Sequence, residues 1–292
     1  MVLASLLFAT MGVCVKLASQ LYTTGEIVFY RGLVGATFIA LMARWRGGSL
    51  RTTVPGMHLW RSLTGVCALC LWFYALGHLP LATAVTLNYM SSVWMALFLI
   101  GGAVALGARG TKIDGRLVAT VLVGFLGVAL VLRPTLTHNQ AWAGVIGLLS
   151  GMLSATAYLQ VTALGRVGEP EYRVVFYFSL GSMSAGLLWM AWNGLSAHSW
   201  RGAGLLAATG LLATLGQITM TRAYAIGRTL SNASLQYLGI VFSFLYGVWL
   251  FDDPVTLPAL AGMAMIVGAG LAATRLRAQS AAPDSTLTAS DT

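Results

Sequence analysis

The chain has 292 residues, of which 58% are hydrophobic and only 9% charged, and its mean hydropathy is +0.80. A soluble domain carries about 25% charged residues, so this composition excludes a water-clothed globular protein and specifies a polytopic membrane protein. The formal net charge of +9 would suit nucleic acid in a soluble chain, but here basic loops facing anionic lipid account for it. A spanning helix needs about 20 mostly apolar residues. Ten such stretches follow one another at 2–20, 25–44, 58–77, 81–106, 116–133, 143–164, 172–193, 202–226, 230–251 and 255–274. Residues 1–20 read as the first span and not as a signal peptide, because no basic region precedes the apolar run. All seven prolines fall at or near predicted ends or in connections, where a missing amide proton costs least. The connections are short, and the Ser-, Thr- and Asp-containing tail at 276–292 is predicted to be disordered.

The basic residues predict the orientation. With the N-terminus inside, twelve of the seventeen, from Arg44 to Arg277 and including Arg61, fall on the cytoplasmic side. Arg133 and Arg201 lie opposite, and Lys16, Arg31 and Arg222 remain within spans. Both termini are therefore expected in the cytoplasm, with the chain in the inner membrane.

The second half of the chain repeats the first. Val28-Phe29-Tyr30 recurs as Val175-Phe176-Tyr177, and Tyr74-Ala75-x-Gly77 recurs as Tyr224-Ala225-x-Gly227. Thr83-Ala84-Val85-Thr86-Leu87-Asn88-Tyr89 recurs as Ser231-Asn232-Ala233-Ser234-Leu235-Gln236-Tyr237. The offsets are 147, 150 and 148. Five spans per copy is an odd number, so the second copy must be inverted in the bilayer. Residues 1–134 and 142–275 are the predicted repeats, an arrangement that places a solute site near the midplane between them.

Three segments carry a resemblance to a known family. They are Phe73-Tyr74-Ala75-Leu76-Gly77-His78-Leu79-Pro80-Leu81-Ala82, Thr221-Arg222-Ala223-Tyr224 and Leu250-Phe251-Asp252-Asp253-Pro254. With these the chain resembles the EamA family of the drug/metabolite transporter superfamily over nearly all of residues 1–275. The resemblance implies ten spans built as five plus five. Spans one to four and six to nine would surround a central cavity, while five and ten pack together to one side. It also implies export as the direction of transport. One departure is Gly107-Ala108-Arg109, where the family often has Gly-Glu. Small residues in spans five and ten (Thr120, Gly127, Ala261, Gly268) and in span six (Gly144, Gly147, Gly151, Ala155) suit close helix packing in lipid.

No catalytic constellation, metal-ligand cluster or cofactor motif is recognised, and Cys67-x-x-Cys70 reads as two small packing residues within a span. The informative polarity lies inside the spans. Asn232, Gln236, Gly239 and Ser243 share one helical face, and their repeat counterparts in the fourth span are Ala84, Asn88, Ser91 and Met95. Asn88 and Tyr89 should therefore stand opposite Gln236 and Tyr237. In the eighth span Gln217, Thr221 and Tyr224 share a face, with Cys67, Leu71 and Tyr74 as counterparts. Singly, such groups serve as interhelical hydrogen bonds worth about 0.6 kcal/mol; as a symmetric set they predict a solute cavity. Tyr158, Tyr177 and Trp94 are further candidate aromatic walls, whereas Trp60, Trp72, Trp142, Trp192 and Trp200 read as interface anchors. Lys16, Arg31 and Arg222 either snorkel, pair structurally (Glu26 is the candidate partner), or attract a carboxylate or phosphate.

Apart from Glu26 at a span end, no Asp or Glu falls within a predicted span. A carrier of lipophilic cations would need a buried carboxylate, so an anionic or zwitterionic solute is favoured. The expected function is secondary transport of a small amino-acid-like or carboxylate metabolite, outward, by alternating access. A nucleoside or S-adenosylmethionine-type carrier and a lipid-linked headgroup flippase are the alternatives. The expected partners are a small solute and the lipid bilayer; a monomer suffices, with a homodimer left open.

Overall fold

The computed structural model describes residues 1–91, 93–95, 97–98, 115–137, 140–226, 235 and 237–280. Among these, ten helices fall on the ten predicted spans, and no strand occurs. They are α1 (Val2–Ala18), α2 (Thr24–Trp45), α3 (Pro55–His78), α4 (Leu81–Tyr89) and α5 (Gly115–Thr137). The second set is α6 (Ala141–Arg166), α7 (Glu171–Asn193), α8 (Trp200–Ile226), α9 (Leu238–Phe251) and α10 (Leu257–Ser280). Helices α2, α3, α6, α7 and α8 are long and apolar enough to cross a bilayer. The surface is that of a membrane protein: Trp192 is 90% and Trp200 96% exposed, exposure that lipid or its interface tolerates and water would not.

Local chemistry sets the ends. A capping box between Thr23 and Glu26 starts α2. Pro55 occupies the first turn of α3, where its missing N–H is no loss. Gly194, at φ +81°, stops α7 in the left-handed region that favours glycine. Helix α10 continues through Ser280, beyond the predicted boundary at 274. The fourth span is not one unbroken helix. A turn at Met90 ends α4, and Met90 O accepts both an i→i+3 bond from Val93 N–H and an i→i+4 bond from Trp94 N–H, each at 2.9 Å. The same i→i+3 bond joins Ile240 N–H to Tyr237 O, 147 positions later.

Helix pairing has a regular form. The most extensive contacts are α2 with α7, α5 with α10, and α3 with α6, followed by α1 with α8. Helix α4 also packs on α9, α2 on α8, α3 on α7, α1 on α9, and α4 on α6. Shifting every helix by five positions in the cycle of ten maps this set of pairs onto itself. Small residues make the closest crossings. A Cβ on Gly127 of α5 would meet Gly262 O of α10 at 2.9 Å, and one on Gly151 of α6 would meet Leu87 O of α4 at 2.5 Å. Gly268, by contrast, has nothing within 4 Å of such a Cβ.

The Lys16–Asp253 ion pair ties the two halves together. Lys16 Nζ donates to Asp253 Oδ1 at 3.0 Å and to Leu79 O at 3.3 Å, and lies 4.5 Å from the Phe251 ring centroid. Asp253 Oδ2 also accepts from the first free amide of α4, Leu81 N–H, at 2.7 Å. The partner of Lys16 is thus Asp253 and not Glu26. Asp253 serves both a cation and a helix N-terminus. We expect Asp253→Ala to cost more stability than Lys16→Met, on the order of 3 kcal/mol where a paired ion is stranded, as read by thermal unfolding in detergent.

Candidate functional site

An open cleft with about 80 Å³ of water-accessible space runs between the helices that pair across the two halves. Helix α4 brings Asn88 and Tyr89 to its wall, α6 brings Ser154 and Tyr158, and α8 brings Gln217. Arg31 of α2 and Arg61 of α3 face it beside Phe178 of α7. Five residues singled out from sequence (Arg31, Asn88, Tyr89, Tyr158 and Gln217) therefore line one cavity.

Asn88 Nδ2 donates to Ser150 Oγ and Ser154 Oγ, each at 3.1 Å. The amide thus fastens α4 to α6 while presenting its other atoms to the cleft. Tyr89 and Tyr237 meet edge to face with centroids 6.4 Å apart, and both are buried. Ser91 is buried just beyond the turn at Met90. Other candidates lie elsewhere. Trp94 packs on Phe125 at 5.1 Å, Tyr74 stacks on His78 at 4.1 Å, and Arg222 is exposed. Lys16 is held at the Asp253 pair. Gln236, Asn232 and the Tyr224 side chain lie outside the described residues.

The electrostatics centre on two arginines. Arg31 is 4% and Arg61 5% exposed. Their guanidinium carbons stand 4.9 and 4.3 Å from the centroid of the same Phe178 ring. Arg31 Nη1 donates a long bond to Ser182 Oγ at 3.4 Å, whereas Arg31 Nε, Arg61 Nε and Arg61 Nη1 have no hydrogen-bond partner among the described residues. Among the described residues neither arginine forms an ion pair. A desolvated cation–π contact is worth about 2 kcal/mol, while burying an ion costs several. One shared ring does not offset two buried charges.

Arg61 and Trp72 correct the sequence-based assignment. Arg61 is not a loop cation: α3 begins at Pro55, which sets Arg61 about 9 Å along the helix at 1.5 Å per residue. It then folds back over Gly65, where a Cβ would collide with its Nη1. Trp72 is not an interface anchor but lines the cleft, its Nε1 buried without a partner. Among the described residues Glu26 pairs with no cation. It accepts from Thr23 N–H at 2.8 Å, Thr23 Oγ1 at 3.1 Å, Ser196 N–H at 2.7 Å and Ser196 Oγ at 2.8 Å, tying α2 to the α7–α8 connection.

At the other end of the same helix pair, Glu169 accepts from Thr52 Oγ1 at 2.8 Å and from Arg173 Nη1 at 3.0 Å. His58 Nε2 stands 3.4 Å away. Burial pushes the Glu169 carboxyl up, but the Thr52 and Arg173 hydrogen bonds, the Arg173 charge and His58 outweigh it and hold it below its ordinary value of 4.5. A depressed carboxylate adds stability above the unfolded value and loses it as the pH falls through the folded one. Wild-type protein should therefore melt above Glu169→Gln at neutral pH, with the gap closing as the pH drops below about 4.5.

The model of the EamA-like transporter family matches residues 1–133. The pseudopaline exporter CntI of Pseudomonas aeruginosa is 34% identical over 94% of this chain and 95% of its own. The S-adenosylmethionine uptake transporter of Rickettsia felis is 22% identical, over 84% of this chain and 81% of its own. A solved crystal structure shares the fold, with a TM-score of 0.63 at 21% identity over 94% of this chain and 96% of that one. A ten-helix membrane fold with these relatives shows that the chain belongs to the EamA-like transporter family.

Proposed function

We propose that the protein is a carrier, not an enzyme, and that it moves a small amino-acid-like or carboxylate metabolite out of the cytoplasm. The observation that carries this reading is the pair of buried, uncompensated arginines on the central cleft. A carboxylate is the group that such cations recognise, through bidentate hydrogen bonds. A cationic solute would raise the electrostatic cost of the same site, so the S-adenosylmethionine-type alternative loses support. The relative named as an exporter supports the outward direction.

Two inverted repeats, 1–134 and 142–275, would alternate around this cleft. The five-step regularity of the helix pairs and the matched irregular turns after Met90 and Tyr237 support that arrangement. The chain would sit in the inner membrane with both termini cytoplasmic, on the charge bias of its loops. A monomer contains the whole cleft. Asn88, whose amide meets both α6 and the cleft, should lower transport at least tenfold when replaced by alanine, with folded yield nearly unchanged. Equal loss of folded protein would assign Asn88 to helix packing alone.

The test is efflux from proteoliposomes preloaded with labelled amino acids, organic acids, nucleosides and cations. Saturable efflux of carboxylated solutes is expected. Efflux confined to cations or nucleosides, or no efflux from folded protein, would refute the assignment.

A further inference from the structure

We infer that the substrate carries two carboxylates on its charged end, one for each arginine, and not the single carboxylate of a neutral amino acid. The inference rests on the carrier reading above and deepens it. Arg31 and Arg61 come from different helices, yet both lie within 5 Å of one ring centroid, so one small ligand reaches both. Each is at least nine-tenths buried, each keeps an unpartnered Nε, and Arg61 keeps Nη1 as well. One carboxylate would leave the cleft with a buried net positive charge; two would neutralise it.

The two cations are not equivalent. Arg31 is steadied by Ser182. Arg61 rests on the Phe178 face, with Tyr158 on the same cleft, and lies over Gly65, where any larger residue would displace its guanidinium. Arg61 is thus the cation that distinguishes a dicarboxylate from a monocarboxylate. The Asn88 amide gives its nitrogen to Ser150 and Ser154, so its carbonyl oxygen is the acceptor left for a ligand ammonium group. The chemistry recognised is that of a small amino dicarboxylate.

The experiment compares acid–amide pairs of equal shape. Full-length protein is melted in sodium aspartate, glutamate or succinate, and in asparagine, glutamine or succinamate, with ionic strength matched by sodium chloride. Efflux of the same solutes is measured in proteoliposomes. We expect each acid to bind at least tenfold tighter than its amide in wild type. In Arg61→Gln the preference should fall to within about twofold, with the amide then bound as well as the acid. Arg61→Lys, which keeps the charge, should retain part of the preference and controls for folding. Equal binding of acids and amides by wild type, or a preference that survives Arg61→Gln, overturns the two-carboxylate inference while efflux of monocarboxylates leaves the carrier reading intact. Absence of both binding and efflux for every acid and amide overturns the two together.

Discussion

Replacing Arg61 by methionine should cut dicarboxylate transport severely and, at the same time, raise the melting temperature of the substrate-free protein. The two effects have one cause. A buried guanidinium costs several kcal/mol of desolvation, and Arg61 recovers about 2 kcal/mol from the Phe178 ring. Its Nε and Nη1 recover nothing from hydrogen bonds, and Arg31 adds a like charge against the same ring. Hydrophobic replacement of buried ionic groups such as ion pairs is often neutral or stabilising by about 1–4 kcal/mol, and methionine matches the arginine stem in length and flexibility. The melting temperature should rise by a few degrees while dicarboxylate flux falls at least a hundredfold. A drop of several degrees would instead make Arg61 a structural residue.

Alanine at Gly32 or Gly186 should remove most of the folded protein, because these two glycines set the α2–α7 crossing. A Cβ on Gly32 would collide with Met183 N and meet Ser179 O at 2.6 Å; one on Gly186 would collide with Phe29 N and meet Phe29 Cα at 2.6 Å. All of these are backbone atoms, which cannot move aside as a rotamer does. The two helices must separate, and overpacking of this kind costs at least about 1–3 kcal/mol along the most extensive contact of the molecule. Gly204 of α8 is the internal control, since nothing lies within 4 Å of its Cβ position. Gly204→Ala should be neutral or stabilising by up to about 1 kcal/mol from helix propensity. Size-exclusion yield and thermal unfolding of the three variants decide the matter; normal yield for Gly32→Ala would contradict the tight crossing.

The helices were legible because bilayer thickness dictates their length and composition. Ends near Pro170 and Gly194 were legible, whereas α3 begins at Pro55, ahead of the expected start at 58. The turn at Met90 was not, since the apolar run continues unbroken through it and no glycine or proline marks the place. Within the cleft, the repeat overlay selected Asn88 and Tyr89, and helical facing selected Gln217. Arg61 escaped because hydropathy counting treats a cation near a helix start as a flank. Its burial depends on the extra turn that begins at Pro55 and on the space over Gly65. Lys16 carries the converse lesson. In sequence it looked as available as Arg31, but its partner Asp253 lies 237 positions away, a distance that only the packing of α1 on α9 brings together.

The most direct test is saturable flux of a carboxylated solute in proteoliposomes, wild type against Arg61→Met at equal reconstituted protein. The arginine-lined cleft predicts that wild type moves carboxylates, that their esters and cationic analogues do not compete, and that Arg61→Met moves dicarboxylates at least a hundredfold more slowly. Undiminished flux in Arg61→Met, or competition by cationic analogues as strong as by the acids, would contradict it.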